Sequence, residues 1–362
     1  MLAQQDGSPS DLQTALHNRC TEAVVTESLT SGCLTIIGIL SGLIVCLAIY
    51  RNARLRYAIH MYILSYALID LVMSLLVMPF TLGVLIKGEW ISSYSACRFQ
   101  GYAISVLGNL TLFTMTLTAI DRYMASTHQV NYLTFFKRKY VCAAVAIFWL
   151  VSFAVPLSFT FAGNNFVLHP GYALCREEVK KESYLRASIL KFIVVVIPLV
   201  AIATCYYRAS ANLQKTSLNA ERWAQEERSE KINSWKEEES KTRLFAALIL
   251  GTLLFWVPTY ACDIADALSH KKCLPRSVYL LCTLLINVSS CIKPLIIAHM
   301  DEDFAIEFKR ILKSRKSRKV GIDSNAEGNK LDEDPKIMPE TRKYYCKTEE
   351  DELNIKTEES TV

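Results

Sequence analysis

The sequence predicts an all-α membrane protein: a seven-transmembrane helix bundle with a short amphipathic eighth helix. Three observations predict it. Seven apolar runs long enough to cross a bilayer are separated by charged segments. The runs are continuous rather than alternating, which fits helices, because open sheet edges are not tolerated in lipid. Lys and Arg cluster after the first, third, fifth and seventh runs, as expected of the cytoplasmic side.

The runs follow in order. Ser28 to Tyr50 is uncharged. Tyr57 to Ile86 carries one charge, Asp70, and Phe99 to Ile120 carries none. Tyr140 to Cys175 is uncharged but too long for one crossing, so a helix to about Phe161 followed by a loop fits better. Ala187 to Tyr207 carries only Lys191, Leu244 to Cys262 none, and Ser277 to Met300 only Lys293. The chain thus divides into an N-terminal segment 1–30, a transmembrane region 31–300, a membrane-surface helix 301–313 and a disordered tail 314–362. The segment before the first run holds one basic residue, Arg19, against four acids, whereas Lys309 to Lys319 is strongly basic. A multi-pass plasma-membrane protein with its N-terminus outside and its C-terminus inside is expected. No basic stretch followed by an apolar core precedes the first run, so a cleaved signal peptide is not expected.

A net charge of +5 argues against a nucleic-acid partner. Twelve cysteines in 362 residues are too sparse for a disulfide scaffold. Cys46, Cys142, Cys205, Cys282 and Cys291 lie inside apolar runs and read as small hydrophobes. There is no membrane-embedded Ser/His pair, HExxH motif or Gly-rich phosphate loop, so no enzyme, metal site or cofactor is expected. Asp70 and Lys293 within the spans would suit a transporter, but no paired repeats accompany them.

Short motifs fall on particular spans. The third ends in Asp121-Arg122-Tyr123, with Cys97 at its other end and Cys175 in the loop before the fifth. Trp149 and Pro156 lie in the fourth, Pro198 and Tyr206 in the fifth, Phe255-Trp256-Val257-Pro258 in the sixth and Pro294 in the seventh. Each is weak alone; their order and depth are specific. Over about residues 30–313 the chain resembles the rhodopsin-like (class A) G-protein-coupled receptors.

The resemblance implies a receptor that binds an extracellular ligand and activates a heterotrimeric G protein through movement of the sixth helix. It implies a Cys97–Cys175 disulfide on the oxidising face. Pro198 and Pro258 would be hinges, and Trp256 the pocket floor, though core packing explains that tryptophan equally. Arg122 would be held at rest by Asp121 and by Glu238, eighteen residues before Trp256. Release would turn it toward Tyr206. Glu237 and Glu239 flank Glu238, so the run also reads as a solvated acidic face.

Two departures stand out. The seventh span reads Lys293-Pro294-Leu295-Ile296-Ile297 where the family has an Asn-Pro-x-x-Tyr motif, and Gly42 holds the family's first-span asparagine position. Related receptors hold sodium at the aspartate matching Asp70. Here Lys293 is expected to pair with Asp70 in the ion's place, because an intramembrane charge must be paired, neutralised or hydrated. A neutral Lys293, or one turned to water, is the alternative. Ile297 cannot replace the tyrosine that meets Tyr206 in active receptors, so a non-signalling decoy or scaffold is the rival function.

Pocket candidates are Gln100, Ile104, Asn109, Lys191, Trp256, Tyr260, Asp263, Asp266 and Tyr279. Ile104 occupies the position of the amine-anchoring aspartate, which disfavours a conventional amine. Asn287 occupies that of the retinal lysine, which excludes a Schiff base there. Lys191 and Asp263 either pair with each other or clamp a zwitterionic or carboxylate ligand. Cys20 and Cys273 are a second candidate disulfide. Phe304, Phe308, Ile311 and Leu312 share one face of residues 301–313, which would lie on membrane lipid. Thr348 and Thr357 precede acids and suit phosphorylation followed by arrestin binding. The chain ends Ser360-Thr361-Val362, which resembles a ligand for a PDZ protein.

Overall fold

A computed structural model of the chain describes residues 9–52, 55, 58–127, 132, 138–161, 165–178, 184–225, 229–269 and 274–320. Each apolar run is helical. A short α1 (Pro9–His17) precedes the first spanning helix, α2 (Thr21–Arg51). The second crossing is composite: α3 (Ala58–Val72), a π-helical turn (Met73–Val77) and α4 (Met78–Lys87). Then come α5 (Tyr94–Thr127), α6 (Arg138–Phe161), a hairpin of β1 (Asn165–His169) and β2 (Leu174–Glu178), α7 (Tyr184–Gln225), α8 (Ser229–Ser269), α9 (Arg276–Met300) and α10 (Glu302–Val320). Seven helices among the described residues are long and apolar enough to cross a membrane.

Burial sorts these helices into centre and rim. In α5 and α9, 56% of the most apolar window is buried; in α6 and α7 only 17% is. The rim helices therefore turn large apolar groups outward, among them Ile147, Leu150 and Phe161 on α6 and Phe192, Ile197 and Val200 on α7. Lipid accepts such groups as readily as a core does. Four threonines of α5 turn onto their own helix. The hydroxyls of Thr111, Thr114, Thr116 and Thr118 each donate to the carbonyl four residues back, at 2.7–2.9 Å. Ser65 links α3 to α6 and α5, accepting from Trp149 Nε1 and lying 3.5 Å from the Thr114 hydroxyl.

The π-helical turn has a local cause. Pro79 has no N–H, and its ring would press on the carbonyl of Leu75 one turn back. The helix widens there, with the Met78 N–H bonding to Met73 O. In the hairpin, Leu168 pairs with Cys175 and His169 with Leu174. The turn Pro170-Gly171-Tyr172-Ala173 puts Ala173 at φ 53°, a left-handed conformation costing an L-residue about 1–2 kcal/mol.

Three boundaries differ from the sequence expectations. The described part of the first segment, residues 9–30, is largely helical, because Leu12 and Leu16 are buried against the bundle and Glu27 is held by Arg19 and Arg276. The loop expected between Phe161 and Cys175 contains a hairpin, β1 and β2. Helix α10 continues past Lys313 to Val320, since Ser, Arg and Lys oppose no helix there. On α10, Phe304 and Ile311 are buried in the main core with Phe308 packed against it, so this face expected on lipid meets the bundle, and Glu307 is buried too, paired with Arg310. The Leu312 side chain, and Thr348, Thr357, Ser360 and Val362, lie outside the described residues.

Helix α5 meets the hairpin closely at Gly101, where a Cβ would overlap the Phe166 ring. Alanine gains about 1 kcal/mol of helix propensity but overpacks a buried contact, which costs about 1–3 kcal/mol. Gly101→Ala is expected to lower the melting temperature of the detergent-solubilised protein, and an unchanged or raised value would contradict this packing.

Candidate functional site

The hairpin end of the bundle is closed by side chains. Cys97 at the start of α5 is disulfide-bonded to Cys175 on β2. Gln100, one turn further along α5, is fully buried. Its Nε2 donates to Val77 O (3.0 Å) and Thr81 Oγ1 (3.2 Å), and its Oε1 accepts from Cys175 N (2.9 Å). Gln100 is therefore a brace between α5, α4 and the hairpin, with no surface left for a ligand.

Tyr172, at the hairpin tip, is also buried. Its ring lies 4.9 Å from that of Tyr279 on α9, and its carbonyl accepts from Thr283 Oγ1 at 3.0 Å. Gly171 makes this seat feasible, because a Cβ there would enter the Tyr279 ring. The Tyr172 hydroxyl donates to Asp263 Oδ1 on α8 at 3.1 Å. Burial pushes that phenol well above its ordinary range, so it remains a neutral donor. Arg176 on β2 takes the same carboxylate with both terminal nitrogens, at 2.7 and 2.8 Å. Its guanidinium lies 4.3 Å from the centre of the Tyr172 ring. Asp263, expected to meet Lys191, is thus engaged by the hairpin; the Lys191 side chain lies outside the described residues. Tyr279 is fully buried and donates to Asp266.

Beneath this cover, half-buried Ile104 bridges the cluster around Tyr172 and the cluster around Trp256. Trp256 is 8% exposed, lies 6.1 Å from the Tyr260 ring, and has its six-membered edge against Gly108. Asn109 is half-buried on α5. Asn287 is buried, and its Nδ2 has no protein partner among the described residues. Cys20 is exposed and free, while its suggested partner Cys273 lies outside the described residues.

At mid-depth, Lys293 Nζ stands 2.8 and 3.0 Å from the two oxygens of Asp70, and Ser290 Oγ donates to Oδ1 at 2.9 Å. The ammonium also faces the Tyr66 ring at 5.7 Å. The space left between Gly42, Asp70, Lys293, Pro294 and Ile297 is about 10 Å³, room for one water at most. Gly42 is where α2 and α3 approach: a Cβ would sit 3.1 Å from Leu71 Cβ and 3.3 Å from Ala67 O. An asparagine would not fit that gap without moving a helix.

At the α10 end, Arg122 is 1% exposed and fully engaged. It chelates Asp121 through Nε (2.8 Å) and Nη2, donates to Glu238 Oε2 on α8 (3.1 Å), and reaches the Tyr132 hydroxyl (3.0 Å). Tyr62 donates to the other Asp121 oxygen at 3.2 Å. Of the three successive acids of α8 only Glu238 meets Arg122: Glu237 and Glu238 share Lys241, and Glu239 meets Arg243. Tyr123 is half-buried. The Tyr206 hydroxyl is buried with no protein partner among the described residues, and Ile297 is packed into the main core. Pro258 and Pro294 lie inside α8 and α9 without breaking either. Asp301, which caps α10 by accepting from Phe304 N, lies 3.2 Å from His60 Nε2. Burial pushes its carboxyl up, but hydrogen bonds from His60 and two backbone N–H groups hold it below the usual carboxylate range.

Sequence reasoning missed Tyr172 and Arg176. A signal was present, since Pro170-Gly171 between two five-residue segments marks a hairpin turn.

Residues 41–296 match the family model described as 7 transmembrane receptor (rhodopsin family). Relatives include the mouse melatonin receptor type 1B, 24% identical over 77% of this chain and 75% of that one. The human histamine H2 receptor is 23% identical over 84% of this chain and 86% of that one. The Xenopus laevis neuropeptide Y receptor type 1 is 20% identical over 78% and 79%. A crystal structure of squid rhodopsin superposes with a TM-score of 0.69 at 17% identity, over 84% of this chain and 87% of that one, and so shares the fold. With its motifs in order along seven helices and the family match spanning most of the bundle, the chain belongs to the rhodopsin family of seven-transmembrane receptors, the class A G-protein-coupled receptors.

Proposed function

We propose that this protein is a cell-surface receptor that binds an extracellular ligand and activates a heterotrimeric G protein when α8 swings away from α5. The observation that carries the reading is the Arg122–Glu238 contact, which joins those two helices across the α10 end. It leaves Arg122 engaged, as a resting receptor requires. The hairpin end is taken as extracellular and the α10 end as cytoplasmic. Epitope tags at the two chain ends are expected to be reached by antibody on intact cells at the N-terminus only; labelling of both ends would reject this orientation.

The relatives' names cover melatonin, histamine and a neuropeptide, which differ in chemistry and set no ligand here. Ile104 argues against an amine anchored on α5. The pocket is assigned to Ile104, Asn109, Trp256, Tyr260 and Asp263, with Lys191 on α7 a further candidate. Basic residues late in α10 would hold anionic lipid, the phosphorylated tail arrestin, and the Ser360–Val362 end a PDZ protein.

Basal nucleotide exchange on a panel of G proteins, measured without ligand in cell membranes, tests the reading. Removing a partly exposed ion pair shifts a two-state balance by about 1 kcal/mol, or about fivefold. Glu238→Ala is therefore expected to raise basal exchange severalfold and Arg122→Ala to abolish it. Exchange that neither substitution alters would favour the decoy or scaffold reading. What supports that second reading is Ile297, which leaves the Tyr206 hydroxyl nothing on α9 to meet.

Lys293 is proposed to stand in for sodium as the counter-charge of Asp70. Replacing potassium by sodium is then expected to leave basal exchange unchanged in the natural protein. Lys293→Asn leaves a buried carboxylate alone, a loss of about 3–5 kcal/mol that sodium should partly restore as a rise in melting temperature. A sodium titration of the natural protein would sink the assignment.

A further inference from the structure

Cys262 on α8 and Cys282 on α9 bring their Sγ atoms to 3.6 Å, in contact but unbonded. Both are buried, in a cluster with Leu12, Tyr172, Leu174 and Tyr279. Their chain neighbours Asp263 and Thr283 are the two residues that bond the hairpin tip, so Tyr172 sits directly over the pair. Nothing in the proposed signalling machinery uses these thiols.

We propose that Cys262 and Cys282 are a redox modification site, closing to a disulfide that ties α8 to α9 beneath the hairpin. A disulfide needs the sulfurs at about 2.05 Å, so rotation of the two side chains with a small approach of already packed helices suffices. Packed among Leu12, Tyr172, Leu174 and Tyr279, the thiols are shielded from solvent and oxidant and react slowly. Lifting Tyr172 removes their cover and admits a small oxidant. With hydrogen peroxide, one thiolate attacks a peroxide oxygen, giving a sulfenic acid and water. The second thiol then attacks that sulfur, forming the S–S bond and releasing a second water. Two thiols lose two protons and two electrons, and one peroxide takes them up to become two waters. The bond lies four residues from Pro258, on its hairpin side, and leaves the Glu238 end of α8 free to move. The site faces an oxidising compartment if the proposed orientation holds; bond formation with added peroxide does not depend on it.

The test uses the full-length protein in membranes. Samples are treated with hydrogen peroxide, denatured, alkylated with iodoacetamide and mapped by peptide mass spectrometry without reduction. The expected result is a Cys262–Cys282 cross-linked peptide, lighter by two hydrogens, that rises with peroxide and disappears with dithiothreitol or in Cys282→Ser. Tyr172→Ala is expected to form it severalfold faster, with the Cys97–Cys175 peptide in the same digest reporting correct folding. Full alkylation of both thiols after peroxide, separate oxidation of each to a sulfinic acid, or a cross-link that survives Cys282→Ser would overturn the proposal. An unchanged rate in correctly folded Tyr172→Ala would overturn the role of the tyrosine as cover.

Discussion

Inside a bilayer a polar group is cheaply satisfied only within the protein, and that constraint organises the charged side chains of this bundle. The threonines of α5 return their hydroxyls to their own backbone. Asp70 is surrounded by Lys293 and Ser290, and Arg122 by Asp121, Glu238 and Tyr132. An apolar face costs nothing against lipid, so the rim helices are sorted by their polar residues more than by their apolar ones. The mid-depth contact of Asp70 with Lys293 and Ser290 therefore fixes which faces of α3 and α9 meet.

Asp70 and Lys293 differ from Arg122 and Glu238 in what separation would cost. The first pair is buried on both sides, with side chains 8% and 6% exposed, so parting it strands two charges in low dielectric. Glu238 is 25% exposed and has Lys241 as a second partner, so leaving Arg122 costs it far less. The mid-depth pair is thus a fixed joint and the α10-end pair a releasable one. The usual association of an intramembrane charge with movement is inverted at Lys293: there the extra charge restrains. Gly42 fits the same picture, because the space an asparagine side chain would occupy is closed by helix contact.

Much of this was legible in the sequence because hydrophobic length and motif order are local signals. The helices followed from runs of uncharged residues, and the spacing of Glu238 from Trp256 placed that acid opposite Arg122. The spacing could not tell Glu238 from its neighbours; the helical rotation of α8 does, sending Glu237 to Lys241 and Glu239 to Arg243. The hairpin was harder to read because its residues look like the apolar end of α6, and only Pro170-Gly171 betrays the turn. Consequently the sequence offered Lys191 as a pair for Asp263, or as its companion in a ligand clamp, and did not reveal Arg176 and Tyr172, which a loop folds back onto that carboxylate. The π-helical turn at Pro79 was equally hidden, since a proline predicts a disturbance but not its form.

Helix α8 is where these threads meet. It carries three tethers along its length: Glu238 to Arg122 at one end, Asp263 to Arg176 and Tyr172 at the other, and between them Trp256 against Gly108. Pro258 removes a backbone hydrogen bond between the middle tether and the hairpin tether. A helix fixed at both ends and weakened near its centre cannot be released by bending alone; one end has to let go. A ligand reaching Asp263 must displace Arg176 or Tyr172, and either change alters the hairpin, Tyr279 and Thr283 together. Coupling between the two ends then needs no special path through the core. On the proposed reading it follows from one helix whose two anchors are both arginine–carboxylate pairs, with Pro258 between them setting where it bends once either anchor is released.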